Sequence, residues 1–277
     1  MADNQKNNDN GFLPFGETKM GSLSVVKIGG NVIENTVELD KFLDLFSKIE
    51  GPKILVHGGG KLATQLAGKL GIQSKLVNGR RITDSESIDI ITMVYGGLTN
   101  KSIVAKLQAN KCNAIGLSGA DGDAIQAHKR PVKDIDYGYV GDIDGINSNL
   151  ISALLKEGLT PVFCALSHDG KGQILNTNAD TIASEIAIGM GKEYDTTLFY
   201  CFEKKGVLLD IKDDNSVVKH INSKKYQELL DQKIIADGML PKLENCYHAL
   251  HHNVKKVCLG DIEMIKKNAD LYTSITL

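Results

Sequence analysis

Short apolar runs alternate with stretches whose apolar residues recur every three or four positions, and this alternation fills most of the chain. Ser24–Ile28 reads as a strand ending in Gly29-Gly30. Positions 37–50 carry Leu39, Phe42, Leu43, Phe46 and Ile49 at helical spacing and stop at Gly51-Pro52, which predicts a helix. Lys53–His57 is a second strand, ending in Gly58-Gly59-Gly60, and Leu62, Leu66 and Leu70 mark one face of a helix stopped by Gly71. Thr83 and Glu86 have the spacing of a capping box opening a long helix through Gln108. Ala114–Leu117 predicts a strand and the Asp-, Gly- and Tyr-rich stretch 129–144 a hairpin. A helix over 150–157, a strand over 161–166, a helix over 180–190 and a strand over 196–202 come next. Two helices and a strand over 256–259 complete the core. This alternation argues for one α/β domain, an open and mainly parallel sheet sandwiched between helices. Residues 1–19 are polar and aperiodic and read as a disordered extension or non-native leader, leaving 20–277 as the folded unit.

In such sheets ligands bind at the carboxyl ends of the strands. Two glycine loops fall there, each leading into a helix whose free N–H groups suit an anion. The Walker spacing is absent: Lys61 is followed by Leu62 and position 55 is leucine. Gly58, Gly60 and Ala63 satisfy the dinucleotide fingerprint, but no acidic residue closes a following strand; Asp84 and Glu86 fall in a helix cap instead. Lys27, one residue before Gly29, is either an edge-strand lysine reaching solvent or a cation aimed at a phosphate. Lys242 lies about one turn inside a helix opened by Asp237, a second phosphate contact. Asp180, in Asn176-Thr-Asn178-Ala-Asp180, is by local evidence as good an N-cap as a functional carboxylate. Arg81 has the guanidinium fork that clamps a carboxylate.

Composition narrows the partners. The 277 residues carry 32 Lys+Arg against 34 Asp+Glu, a net charge of −2, which offers no basic field to a nucleic acid or an anionic membrane. No run approaches a membrane span, and the expectation is a soluble, cytoplasmic protein. Five cysteines, an odd number with no Cys-x-x-Cys, read as buried thiols of a reducing compartment; His248, His251 and His252 fit no standard metal spacing.

Lys27-Ile-Gly-Gly30, Val56-His-Gly-Gly-Gly60, Asn78-Gly-x-Arg81-x-Thr83, Asn176-x-Asn178-Ala-Asp180 and Ile235-x-Asp-Gly-Met-x-x-Lys242 occur in an order and spacing that resemble the acetylglutamate kinases, the arginine-pathway branch of the amino acid kinase family. The resemblance runs from about Ser24 to the C-terminus. It implies transfer of the γ-phosphoryl group of ATP, with Mg²⁺, to the side-chain carboxylate of an N-acyl-L-glutamate in the second step of arginine biosynthesis. By resemblance Lys27, Lys242 and Asp180 are catalytic. Gly59, Gly60, Arg81 and Asn176 bind the acylglutamate, and Gly29, Gly30, Glu203, Gly206, Asp237, Gly238 and Met239 bind the nucleotide. The acceptor half covers about 20–175 and the ATP half about 176–277, with the segment 137–144 a lid over the acceptor. The resemblance also implies a homodimer.

Two departures stand out. Where relatives carry Ser-Asp-x-x-Gly, this chain has Phe202-Glu-Lys-Lys-Gly206, so Glu203 replaces the aspartate; and position 80, usually uncharged, is Arg80. Arg80, with Lys129 or Arg130, suits a dicarboxylic acyl group such as succinyl. Residues 1–19 lack the periodicity of the N-terminal helix that builds arginine-inhibited hexamers, so an arginine-insensitive dimer is expected. The alternatives are another amino acid kinase, for carbamate or glutamate, an NAD-binding protein, or a catalytically silent relative.

Overall fold

A computed structural model describes residues 19–77, 80–232, 234–235 and 239–277. The chain runs through β1 (Ser22–Ile28), α1 (Gly30–Glu34), α2 (Thr36–Ser47), β2 (Lys53–His57), α3 (Gly60–Lys69) and the ribbon β3 (Leu76–Val77) and β4 (Arg80–Arg81). Next come α4 (Ser85–Thr92), a π-helical turn (Met93–Thr99), α5 (Asn100–Ala109), β5 (Ala114–Leu117), β6 (Ile125–Lys129) and β7 (Gly141–Ile146). Then come α6 (Ser148–Lys156), β8 (Thr160–Cys164), β9 (Leu166–His168), β10 (Ile174–Asn176), α7 (Ala179–Met190) and β11 (Asp195–Cys201). β12 (His220–Ile221), α8 (Ser223–Asp231), α9 (Leu240–His251), β13 (Lys256–Gly260) and β14 (Thr273–Ile275) end the fold. No helix among the described residues is long and apolar enough to cross a membrane.

The main sheet has the order β12-β14-β13-β11-β1-β2-β8-β5, parallel throughout except where β14 runs against β13. Every strand on the β2 side of β1 comes from residues before 165, and every strand on the β11 side from residues after 194. The chain therefore reverses its direction of winding at β1, and a crevice opens outside the carboxyl ends of β1, β2 and β11, where open α/β sheets bind ligands. Because β1 is central, Lys27 is no edge-strand lysine; it stands in register between Val56 and Tyr200.

Side chains alternate between two cores. Val25, Ile54, Val56, Leu198, Val257 and Leu259 join Ile182, Ala183 and Ile186 of α7 on one face. Val26, Ile28, Leu55 and Cys258 meet Leu39, Phe42, Leu43 and Phe46 of α2 on the other. Burying each such side chain contributes roughly 1.5–3 kcal/mol. All five cysteines are free and buried.

The structure differs from the sequence expectations at three places. The cap of α4 is Asp84, whose carboxylate accepts from the Ser87 N–H at 2.9 Å, while Thr83 is buried in a bridge to Gly138. The long helix through Gln108 is interrupted by the π-turn. The strand over 161–166 divides at Ala165, where the chain leaves the main sheet for a smaller one ordered β10-β9-β6-β7. That smaller sheet contains the expected hairpin, β6 against β7.

Candidate active site

Lys27 closes the row Val56–Lys27–Tyr200 at the mouth of the crevice, where an apolar residue would continue the core. Its partner comes from α7. Asn178 caps that helix, accepting from the N–H groups of Asp180 (2.7 Å) and Thr181 (3.3 Å), so Asp180 is relieved of the capping role considered from sequence. The Asp180 carboxylate instead takes Lys27 Nζ on Oδ1 at 2.7 Å and Lys242 Nζ on Oδ2 at 3.3 Å. Burial disfavours its charge, but Lys27 and Lys242 outweigh that and hold the carboxyl below the usual carboxylate range. Tyr200 from β11 donates to the Asp180 carbonyl at 3.1 Å, fixing the first turn of α7 to the sheet. Lys242 reaches in from the first turn of α9, its ammonium 5.9 Å from the centre of the Phe202 ring. Two cations, one from the central strand β1 and one from α9, thus converge on one anion, with Lys27 at 14% and Lys242 at 35% exposure.

The glycine loops flank this triad unequally. The N–H of Gly29 is committed to the Cys201 carbonyl at 3.1 Å, so it is not a free phosphate donor; Gly30, which opens α1, has no helical acceptor for its N–H. Gly58 leans on Ala179, next to Asp180, and Gly59 and Gly60 open α3. A Cβ on Gly59 would lie 2.9 Å from the Tyr95 ring, so only glycine fits. Arg81 donates to the Gly60 carbonyl at 2.9 Å and the Thr64 hydroxyl at 2.7 Å, and also to the Ser74 hydroxyl, which ties it to the start of α3 with donors to spare. Asn176 donates to the Thr83 hydroxyl at 3.0 Å.

The segment 137–140 is strapped down. Thr83 N–H donates to the Tyr137 carbonyl, Tyr139 N–H to the Thr83 carbonyl and Asn176 N–H to the Tyr139 carbonyl. Gly138 has a φ of +68° and sits so close to Thr83 that a Cβ would come 2.1 Å from its carbonyl oxygen. Arg130 is held by Asp142 through its Nε (3.1 Å) and its Nη2, while Lys129 lies over the Tyr139 ring and Arg80 is exposed.

Glu203 accepts from the Asn31 amide at the start of α1, and Lys61 bridges Asn31 to Glu34. Gly206 stands apart, packed on Thr273 and Val217, where a Cβ would come within 2.5 Å of the Thr273 hydroxyl. Met239 precedes α9 without a side-chain cap, and Asp237, Gly238, Asn78 and Gly79 lie outside the described residues, as do residues 1–18. Lys19, counted with the leader, pairs with Asp195 at 3.5 Å. Sequence reasoning missed Tyr95, Asn100 and the His57 side chain. Gly96-Gly97 and an asparagine inside a helical pattern were the available signals.

Residues 22–261 match the model of the amino acid kinase family. An acetylglutamate kinase from Phocaeicola vulgatus is 54% identical over 237 residues, spanning 86% of this chain and 92% of that protein. The crystal structure of smu.665 from Streptococcus mutans superposes with a TM-score of 0.71 at 27% identity, covering 92% of this chain and 98% of that one. N-acetylglutamate synthase from Neisseria gonorrhoeae, complexed with coenzyme A and N-acetyl-glutamate, shares the fold at 19% identity and a TM-score of 0.77, covering 92% of this chain and 59% of that one. Motifs, sheet topology and relatives agree: the chain belongs to the amino acid kinase family, on its acetylglutamate kinase branch.

Proposed function

We propose that Lys27, Asp180 and Lys242 carry the phosphoryl transfer of an acetylglutamate kinase that uses ATP in arginine biosynthesis. The observation that supports this most is one carboxylate gripping two lysines, one from β1 and one from α9. The acceptor γ-carboxylate, with an ordinary pKa near 4.3, is already ionised at neutral pH, so no general base is needed. One carboxylate oxygen forms a bond to the γ-phosphorus while the bond to the ADP oxygen breaks, giving an acyl phosphate and ADP. The obstacle is two anions meeting, and catalysis consists of positioning and neutralisation of charge on the phosphoryl oxygens. Lys27 and Lys242 supply that neutralisation, and Asp180 keeps both ammonium groups aimed.

Gly59, Gly60 and Arg81 serve the acceptor, with Arg81 holding the α-carboxylate and Asn176 the amide end. Gly30, Glu203, Met239, Asp237 and Gly238 serve the nucleotide. Both oxygens of Asp180 face ammonium groups, which does not suit a metal ligand, so Mg²⁺ enters on the nucleotide. The working form is a cytoplasmic, arginine-insensitive homodimer.

For the acyl group, Arg80 favours a second reading, a dicarboxylic acyl such as succinyl. Arg130 is already engaged by Asp142, which leaves exposed Arg80 and Lys129 to meet the distal carboxylate. A coupled assay of ADP release with MgATP, offering N-acetylglutamate, N-succinylglutamate, free glutamate and carbamate, tests all of this. Turnover on an N-acylglutamate, abolished in Lys27→Ala and weakened in KM by Arg81→Ala, supports the reading. Silence on all four acceptors overturns it, and a strong acetyl preference in kcat/KM refutes the succinyl reading.

A further inference from the structure

The π-helical turn Met93–Thr99 is the one irregular segment inside an otherwise continuous helix among the described residues. Its widening is recorded in the backbone: the Asn100 N–H donates to the Tyr95 carbonyl five residues back as well as to Gly97. Three buried polar side chains are placed by it. The Tyr95 ring fills the space under Gly59. The Thr99 hydroxyl, unpartnered, lies 3.5 Å from where a Gly59 Cβ would be. The Asn100 amide donates to His57 Nε2 at 3.0 Å and to the Val162 carbonyl at 2.9 Å.

An ordinary helix, at about 100° per residue, would turn Asn100 about 140° away from Tyr95. With i→i+5 bonding and roughly 4.4 residues per turn, Thr99 and Asn100 each fall within about 50° of Tyr95, one on either side of it. His57 completes the chain of contacts. Its Nδ1 lies 2.7 Å from the Gly58 carbonyl, which can only accept, so the proton is on Nδ1 and Nε2 is free to receive Asn100. His57 and Asn100 are 0% and 1% exposed, and each bond in the chain has one permitted direction.

We propose that the π-turn is a positioning device for the acceptor-side glycine loop, with His57 and Tyr95 as its contacts. His57 fixes the carbonyl of Gly58 and so the orientation of the Gly59 and Gly60 N–H groups, while Tyr95 props Gly59 from beneath. The inference rests on the reading that Gly59 and Gly60 serve the acylglutamate.

The test is the pair His57→Asn and His57→Gln in the full chain. Asparagine places an amide N–H where Nδ1 was and keeps the bond to Gly58; glutamine reaches Asn100 and loses it. Both variants lose melting temperature, since each leaves a buried partner unpaired. In His57→Gln the KM for N-acetylglutamate rises about fivefold to tenfold, the worth of one buried hydrogen bond, with the KM for ATP within about twofold of wild type. In His57→Asn both constants stay within about threefold, a rescue that a merely structural histidine would not show. Tyr95→Leu, which keeps apolar volume and removes the ring, gives the same acceptor-only rise and serves if the histidine variants fail to fold. Equal losses in both histidine variants, or no change in any of the three, overturn the positioning role. A rise confined to the KM for ATP overturns instead the assignment of this loop to the acceptor.

Discussion

Replacing Asp180 by asparagine removes one charge while keeping the shape of the side chain, and the geometry sets the cost. At an effective dielectric of about 20, opposite charges about 4 Å apart attract by about 4 kcal/mol. The Lys27 contact, at 2.7 Å between side chains 14% and 19% exposed, belongs in that range before desolvation. The Lys242 contact is longer, at 3.3 Å, and that lysine is 35% exposed, so it counts as a surface pair of about 1 kcal/mol or less. Stripping the anion from a buried pair costs roughly 3–5 kcal/mol, because the cation left behind is uncompensated. Taking about 3 kcal/mol, and roughly 2–4 °C per kcal/mol for a chain of this size, the variant melts about 6–12 °C lower. No cap is lost, since Asn178 provides it. The triphosphate then supplies the missing anion, so MgATP raises the melting temperature of Asp180→Asn by more than that of the wild type, as tighter binding to the native state demands. Turnover falls about 10²-fold, the scale on which misplacement of catalytic groups acts. Thermal melts with and without MgATP, beside the ADP-release assay, read all three effects. A melting temperature within about 2 °C of wild type, or kcat within about threefold, would mean that Asp180 does not hold the two ammonium groups.

Three further outcomes rest on the same packing. Asn178→Ala loses the cap of α7 and about 1 kcal/mol of stability, with kcat kept within about threefold; a collapse of kcat would transfer catalytic weight to Asn178. Burial depresses the His57 imidazole from 6.5 to about 4, with the Gly58 carbonyl opposing and Lys101 adding to the effect. The unfolded chain therefore binds this proton before the native one does. Stability is whole above about pH 6.5 and falls by about 3 kcal/mol as the pH drops to about 4. Melting curves across that window should show the loss in wild type and a shallower one in His57→Gln. Burial also pushes the Cys164 and Cys258 thiols up to about 12, and all five thiols are inaccessible. A thiol reagent should label none in the native protein and five after denaturation; one fast-reacting native thiol refutes the packing around it.

The α/β class, the near-parallel sheet and the two cores were legible in the sequence because buried strands and amphipathic helices are local patterns: Lys53–His57 and Leu39–Phe46 announce themselves within a few residues. The last strands were not. β12 and β14 are two and three residues long, and β14 runs antiparallel at the end of a loop whose composition is ordinary. The π-turn escaped because its apolar spacing imitates a continuous helix, and only the i→i+5 bond and the partners of Tyr95, Thr99 and Asn100 distinguish it.

The candidate site divides in the same way. Residue types and spacing alone put Lys27, the glycine loops, Arg81, Asp180 and Lys242 at the ends of strands and the starts of helices, and placed the chain beside the acetylglutamate kinases. Which of those residues share a contact was decided by the tertiary structure. Asp180 is a plausible cap by sequence, and only the structure shows Asn178 taking that role and Asp180 turned to Lys27. The N–H of Gly29 is consumed by Cys201 because β1 and β11 are neighbours, a fact of sheet order that no local pattern contains. Local propensity acts over one or two turns, whereas a charge finds its partner across 153 and 62 residues of chain, as Lys27 and Lys242 find Asp180, only once the sheet has brought them together.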